Sequence, residues 1–450
     1  MAPTGNGIVS SFIARVTWDQ LPAEVRHIAH LALLDTLGAA LAGTLTPVSR
    51  IAAEFAAETW PGDEATVLLR GQRAAPVGAA FANAYAANGL DVDDCGFYTK
   101  GHPGVQIVPT ALALTEGQGL GGADLLTAVV VGYEVAHRAA RIWHATRDIY
   151  QACGSWGSVA CAAIAARLLN LSPTEIEHAL GIADYHAPNL PMMRDIDHPA
   201  MVKHGVGWGA MNGILSAKLA ARGFTGIPSL FDLDEYRDWL VDLGERYIMI
   251  DGIAWKRYAC CAWDHAAIRG LDQLKQQYGF DANDVAAVRV ETFHEAARLG
   301  TDLPTTTEEA QFNLAWPLAA YLVDGEVGPD QVLEHALDRE DIRGLAERIE
   351  VVETQELNEL YWLACRGDPQ GVYASRVIVQ LEDGSRLESG RIEGEINFPQ
   401  ATWDDEGLVE KFRWLTGHVV EERRTESLIE MVWRLAELSD VRELTAIIAA

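Results

Sequence analysis

The sequence predicts a mainly α-helical protein: a large all-α domain over residues 1–270, an inserted α+β lid domain over 271–399, and C-terminal helices over 400–450 that return to the all-α domain. Three observations carry this reading. Apolar residues recur at helical spacing through the first 270 residues and again from Leu408 to the end. Between them, Val288, Val290 and Thr292 alternate with Arg289 and Glu291, the period of a half-buried strand. A chain of 450 residues also exceeds the ~250–300 at which one hydrophobic core stops growing.

The elements follow in order. From Pro22 to Ala42, Val25, Ile28, Ala29, Ala32, Leu33, Leu37 and Ala40 hold helical spacing. Pro76 opens a small-residue helix to Ala87, and further helices are expected over Gly104–Leu114, Ala123–Trp143 and Ser155–Leu169. Ser172-Pro173-Thr174-Glu175 is a helix start, with Ser as N-cap, Pro at the first position and Glu at the third. Gly209–Ala221 is another small-residue helix, ended by Gly223. Helices are then expected at Gln311–Leu322, Pro329–Ala336 and Ile342–Arg348, with a strand at Ile349–Val352. Ser375–Leu381, Asp383-Gly384 and Arg386–Glu388 read as a hairpin around an Asp-Gly turn.

Composition excludes several classes. With 49% hydrophobic and 22% charged residues the chain is globular rather than disordered. No run approaches the ~20 apolar residues of a membrane helix, and Met1–Asn6 does not read as a signal peptide, so a cytoplasmic protein is expected. A net charge of −29 argues against nucleic acid as a partner. It also requires any site for an anion to gather its own Lys, Arg and His. The six cysteines form no CxxC pair, so neither a disulfide framework nor a zinc or iron–sulfur site is expected. The single GxGxxG match, Gly117, Gly119 and Gly122, lies between two helices rather than after a strand, and no GxSxG or Walker A sequence occurs. Proton chemistry by side chains remains.

Polar residues gather where helices begin or end. Asp91, Asp93 and Asp94 suit either a divalent cation or the cap of the next helix. His102, ahead of Pro103 and a helix, is placed where the dipole favours a neutral imidazole, a form suited to a base. Lys203 and His204 precede the small-residue helix; a lysine there calls for an anion nearby, unless the loop is simply solvated. Lys256 and Arg257 suit a carboxylate clamp or a solvated pair at a turn. Cys260 and Cys261 read as buried thiols. Gln311, Asn313 and Trp316 read as core packing.

Taken together, Leu34-Asp35-Thr36-Leu37-Gly38, Asn88 to Asp94, Gly101-His102-Pro103-Gly104, Arg222 to Gly226, Lys256-Arg257-Tyr258 with Cys260-Cys261 and His265, and Lys411-Phe412 resemble the MmgE/PrpD family. The family includes 2-methylcitrate dehydratase, cis-aconitate decarboxylase and iminodisuccinate epimerase. The resemblance implies an all-α domain with an α+β lid, a pocket between them, a homodimer, and no metal or other cofactor. It assigns Asp91, His102, Lys203 and Lys256 to the pocket. Cys95 stands where the family pattern has Thr, Tyr150 lies near the position of a family histidine (the nearest upstream histidine is His144), and Trp316 replaces a tyrosine.

The expected function is a lyase, dehydratase-like, that removes a proton next to a carboxylate of a small di- or tricarboxylate. His102 is the expected base, with Lys203 as the other candidate. Asp91 orients His102 or accepts a hydrogen bond from the substrate, and Tyr150 or a second lysine is the acid. Lys256, Arg257, Cys95, His204 and Trp316 are the expected substrate contacts. Two alternatives stand beside it: a two-base epimerase of a dicarboxylate, and a non-catalytic protein that binds small acids.

Overall fold

A computed structural model describes residues 3–366, 368, 370–394 and 403–449. The first unit contains α1 (Gly5–Arg15), α2 (Ala23–Gly43), α3 (Pro47–Thr59), α4 (Pro76–Ala87), α5 (Gly104–Gln118), α6 (Gly122–Ala145), α7 (Cys153–Leu168), α8 (Pro173–Tyr185), α9 (Met192–Asp197), α10 (Val206–Ala220) and α11 (Met249–Gly252). The short pair β1 (Ala65–Val67) and β2 (Gln72–Ala74) sits at its edge. Local chemistry sets the helix starts. The Thr46 hydroxyl accepts from Ser49 N with Pro47 at the first position of α3. Ser172 and Glu175 form the capping box of α8.

Small residues let α7 and α10 approach closely. A Cβ on Gly213 would lie 2.4 Å from Cys161 Cβ, and one on Gly209 would lie 2.9 Å from Gly154 Cα. The α2 helix is buried along nearly its whole length. Among the described residues, no single helix is long and apolar enough to cross a membrane.

The chain then forms β4 (Ile253–Ala254), which pairs with β3 (Cys95–Gly96). The helices α12 (His265–Tyr278), α13 (His294–Ala297), α14 (Thr307–Gln311), α15 (Ala315–Asp324), α16 (Pro329–Val332), α17 (Glu340–Ala346) and α18 (Gln355–Cys365) follow, interleaved with β5 (Val285–Thr292), β6 (Ile349–Glu353), β7 (Ala374–Leu381) and β8 (Arg386–Glu393). The four strands form one sheet in the order β6-β5-β7-β8, with β5 and β6 parallel and the other pairs antiparallel. The hairpin turns at Asp383-Gly384; Gly384 has φ +89° and Ser385 N donates to Asp383 Oδ1. The α12 helix covers β7 and β8, and a separate apolar core forms around this sheet.

The C-terminal α19 (Asp405–Thr416), α20 (Glu422–Trp433) and α21 (Arg442–Ala449) rejoin the first core. Gly38 of α2 lets Phe412 of α19 seat against it. Lys411 donates to Asp35 at 2.5 Å and to the Val92 carbonyl at 2.7 Å, tying the returning helix to the loop after α4.

Two expectations change. The helix expected over 311–322 is two helices, because the Asn313 side chain caps α15 by accepting from Trp316 N at 2.8 Å. The small-residue helix starts at Val206, and Lys203-His204-Gly205 before it form a left-handed turn.

Candidate active site

The loop after α4 turns sharply enough to put Asp91 in the left-handed region, φ +51°. Asn88 holds the loop by donating to Asp93 Oδ1 at 3.0 Å, and Lys411 holds it through Val92. Pairing of β3 with β4 brings the segment after β4 alongside, so that Lys256 Nζ lies 2.6 Å from Asp91 Oδ2 and also donates to the Asp91 carbonyl. Both side chains are buried. Burial opposes both charges, but each outweighs it for the other: Lys256, helped by His102 and Lys203, holds Asp91 below the usual carboxylate range, and Asp91 holds Lys256 above its ordinary value.

His102 enters from the start of α5. A Cβ on Gly104 would sit 2.3 Å from Thr36 Oγ1 and 2.5 Å from Asp94 Oδ1, so only glycine lets that helix begin here. The Asp94 carboxyl accepts from Gly104 N and from the Tyr133 hydroxyl; burial, then Asp35 and Asp93, push it up to about 8. His102 Nδ1 lies 2.7 Å from Asp93 Oδ2, and Nε2 lies 3.4 Å from Asp91 Oδ1. Burial opposes charge on this ring, yet Cys95, Asp93 and Asp91 outweigh it and raise His102 well above its ordinary value. The two carboxylates thus act against the helix dipole and favour the charged form of the His102 ring.

Lys203, His204 and Gly205 are consecutive left-handed residues, with φ +42°, +57° and +67°. Non-glycine residues in this region cost about 1–3 kcal/mol each and persist where the surroundings over-determine them. Asp195 Oδ2 accepts from both His204 N at 2.9 Å and His204 Nδ1 at 2.7 Å. The Lys203 ammonium donates to Gln311 Oε1 at 2.6 Å and faces the Phe312 ring. Gln311 is itself fixed by donating to the Gly89 carbonyl and to Thr307 Oγ1. Burial lowers the Lys203 pKa, and the more distant Asp91, Glu308, Asp93 and Asp195 only partly restore it.

The structure thus gathers Asp91, His102, Lys203, His204, Lys256 and Cys95. Asp91 is 0% exposed, His102 6%, Lys203 1%, His204 1% and Lys256 2%, so the site is closed to solvent. Cys95 Sγ lies 3.8 Å from His102 Nδ1. Three expected residues go elsewhere. The Tyr150 hydroxyl donates to the Lys100 carbonyl rather than reaching Asp91. The indole of Trp316 is fully buried in the second core and donates to the Gln331 carbonyl. Arg257 points away from its neighbour Lys256, over Trp403 at 5.3 Å, into a separate cavity shared with Tyr321 and Trp414. His144 does not replace the family histidine either: it contacts the Thr99 carbonyl, and burial lowers it to about 4. Asp93, read from sequence as a cation ligand or cap, and Gln311, read as core packing, join the site instead, as does Asp195, whose only sequence signal was its place near other polar residues.

One oxygen of Asp91 and one nitrogen each of His102 and His204 lie within 4.8 Å of one another, near enough to hold a metal ion. The neighbours do not suit one: Lys256 Nζ, 2.6 Å from Asp91 Oδ2, already neutralises that carboxylate, and Asp93 occupies the other side of His102. The same neighbours suit organic anions. Two ammonium groups and an imidazolium converge in a dry space, where charge interactions are far stronger than in water. This local cluster answers the problem set by a net charge of −29.

Comparison with known proteins places both halves of the chain in one family. The MmgE/PrpD N-terminal domain model matches residues 8–236 and the MmgE/PrpD C-terminal domain model matches residues 258–437. A cis-aconitate decarboxylase-like protein, oryM, of Aspergillus oryzae is 27% identical over 99% of this chain and 98% of its own length. The cis-aconitate decarboxylase of Aspergillus terreus is 24% identical over 97% of this chain and 94% of its own. That of Homo sapiens is 28% identical over 92% and 88%.

Proposed function

Because the chain belongs to the MmgE/PrpD family, we propose that it is a lyase acting on a small tricarboxylate through a carbanion formed next to a carboxylate. The observation that carries the proposal is His102, kept charged by Asp93 and Asp91 beside the ammonium groups of Lys256 and Lys203. The lysines hold substrate carboxylates and take up charge as it develops on the enolate. The imidazolium supplies a proton, either to carbon after loss of carbon dioxide or to a departing hydroxyl in a dehydration. In the decarboxylation the broken C–C bond leaves its electron pair on the carboxylate-stabilised carbon; in the dehydration the C–H pair does so, becomes the double bond, and the C–O pair leaves with the hydroxyl. Relatives named as cis-aconitate decarboxylases favour cis-aconitate as the first substrate to try.

The unit around the four-stranded sheet acts in this reading as a lid, with Gln311 and Phe312, which cover Lys203, moving away to admit substrate. The protein works as a homodimer. Exposed Ile51 and Phe55 of α3 and Trp208, Leu215 and Leu219 of α10 offer an apolar face, made continuous by Phe81, whose ring lies 5.8 Å from both Phe55 and Trp208. No metal or cofactor takes part in the proposed chemistry.

The test is incubation with cis-aconitate, citrate and 2-methylcitrate, followed by proton NMR and carbon dioxide release. Carbon dioxide with a shifted alkene supports decarboxylation, and a new alkene from a hydroxy acid supports dehydration. Unchanged spectra across the panel would remove the lyase reading.

A further inference from the structure

We propose that His204 is a second acid–base residue of this site, the base that takes a proton from carbon, working beside His102 as the acid. This deepens the lyase reading and rests on it. The assignment comes from how the two imidazoles are held. Their rings stack at 5.3 Å with 10° between planes, and each Nε2 faces the same oxygen, Asp91 Oδ1, at 3.4 Å from His102 and 4.0 Å from His204.

Their surroundings differ. His102 lies between Asp93 on one side and Asp91 on the other, with Cys95 nearby, and so holds two protons. His204 has a hydrogen-bonded carboxylate on one side only, because Asp91 Oδ1 lies 4.0 Å from its Nε2, beyond hydrogen-bond reach. Asp195 Oδ2 accepts from His204 N and Nδ1 together, which fixes Nδ1 as the nitrogen that bears hydrogen. Nε2 of His204 is buried and, among the described residues, has no hydrogen-bond partner. Its lone pair therefore points into the site next to Lys203 and Asp91. The ring is wedged there by Phe312, edge-on at 5.3 Å, and by a left-handed backbone that Asp195 holds in place. An orphaned nitrogen in a strained, over-determined loop is a feature that packing alone does not call for.

The proton balance closes. In a dehydration, His204 Nε2 takes the proton from the carbon next to the carboxylate, and the C–H electron pair passes to the enolate. Collapse of the enolate forms the double bond and expels the hydroxyl, which leaves as water with the Nε2 proton of His102. His204 then carries the extra proton and His102 lacks one. Transfer between the stacked neighbours restores both, with no oxidant, reductant or co-reactant.

The cavity behind the ring supplies a test. His204 and Asp195 wall a cavity of about 430 Å³ with Leu190, Pro191 and Trp208. In His204→Gly the ring is lost, while glycine accepts the φ of +57°. Wild type, His204→Gly and Asp195→Asn are incubated in deuterated water with citrate and with cis-aconitate, and deuterium entry next to the carboxylates is read by NMR. The proposal expects exchange to fall ~10²–10⁴-fold in His204→Gly with tricarboxylate binding retained. It expects added imidazole to restore part of that exchange and Asp195→Asn to be intermediate. Full exchange in a folded His204→Gly would overturn it. A separate measurement needs no substrate: ¹⁵N-histidine NMR across pH reads which nitrogen of His204 loses its proton. Loss from Nε2 is the expected result, and loss from Nδ1 removes His204 as a base. Silence of wild type toward both acids would instead fault the lyase reading, and the nitrogen assignment would then decide the inference by itself.

Discussion

The Lys203 ammonium donates to Gln311 Oε1 at 2.6 Å, joining the turn before α10 to the end of α14. A neutral amide in this position satisfies the ammonium without supplying a countercharge, and burial then lowers the Lys203 pKa. Had the partner been a carboxylate, the lysine would be locked in its charged form.

The first prediction exchanges that partner. Gln311→Glu places a carboxylate against Lys203, and an opposite charge at contact raises a lysine by about 1–3 units. The alkaline limb of the kcat profile should shift upward by a comparable amount if Lys203 titrates there. An unmoved profile would remove Lys203 from the ionisations that matter.

Lys256→Met should be costly in two ways. It leaves Asp91 charged, buried and without its nearest cation, a loss on the order of 3–5 kcal/mol. It also removes a donor to the developing enolate, worth roughly 10²–10³ in kcat. Urea denaturation and turnover measure the two effects, and a variant of normal stability would show that the ion pair has been misjudged.

Trp316 and Arg257 make a contrasting pair. Trp316→Ala empties a fully buried indole site and strands the Gln331 carbonyl, so a loss of about 3–5 kcal/mol is expected with an unchanged KM in the protein that remains folded. Arg257→Ala should leave both KM and kcat near wild type, because the guanidinium faces Trp403. A large rise in KM for Arg257→Ala would restore it to the substrate site.

Stability should depend on pH through His102. Its folded pKa is raised above the unfolded value of ~6.5, so its contribution is fully present below about pH 6.5 and is lost as pH rises through the folded value. Replacing His102 with Gln should flatten the fall in Tm on the alkaline side of 6.5. An identical pH dependence in wild type and variant would contradict a charged ring.

The apolar face proposed for the dimer is tested by Trp208→Glu with Leu215→Glu. Two carboxylates on α10 should convert a dimer to a folded monomer in sedimentation experiments. A wild-type protein that is already monomeric would dismiss that surface.

Much of this architecture was legible in the chain. Helix starts such as Ser172-Pro173 and the Asp383-Gly384 turn depend on neighbours in sequence, and they fall where local chemistry puts them. Asp91, His102 and Lys203 were visible as polar residues close to glycine or proline, and Lys256 as one of two adjacent cations; the fold brings all four together. What stayed hidden depended on direction or on distant partners. Lys256 and Arg257 are adjacent just after β4, yet Lys256 meets Asp91 in the site while Arg257 faces Trp403 outside it. Gln311 lies 108 residues from Lys203, and no local pattern records their contact. The helix dipole at His102 is visible in sequence, whereas the opposing approach of Asp93 to Nδ1 is a product of the folded loop.

The most direct test of the central claim is proton NMR of the wild-type protein with cis-aconitate in deuterated water. Carbon dioxide release with deuterium on the product carbon next to a carboxylate, or hydration of the alkene with deuterium at that carbon, is the predicted result. Both require a carbanion stabilised by the Lys203–Lys256–His102 cluster. Tight binding of cis-aconitate with neither product nor deuterium incorporation would contradict the account and leave a site that holds tricarboxylates without reacting with them.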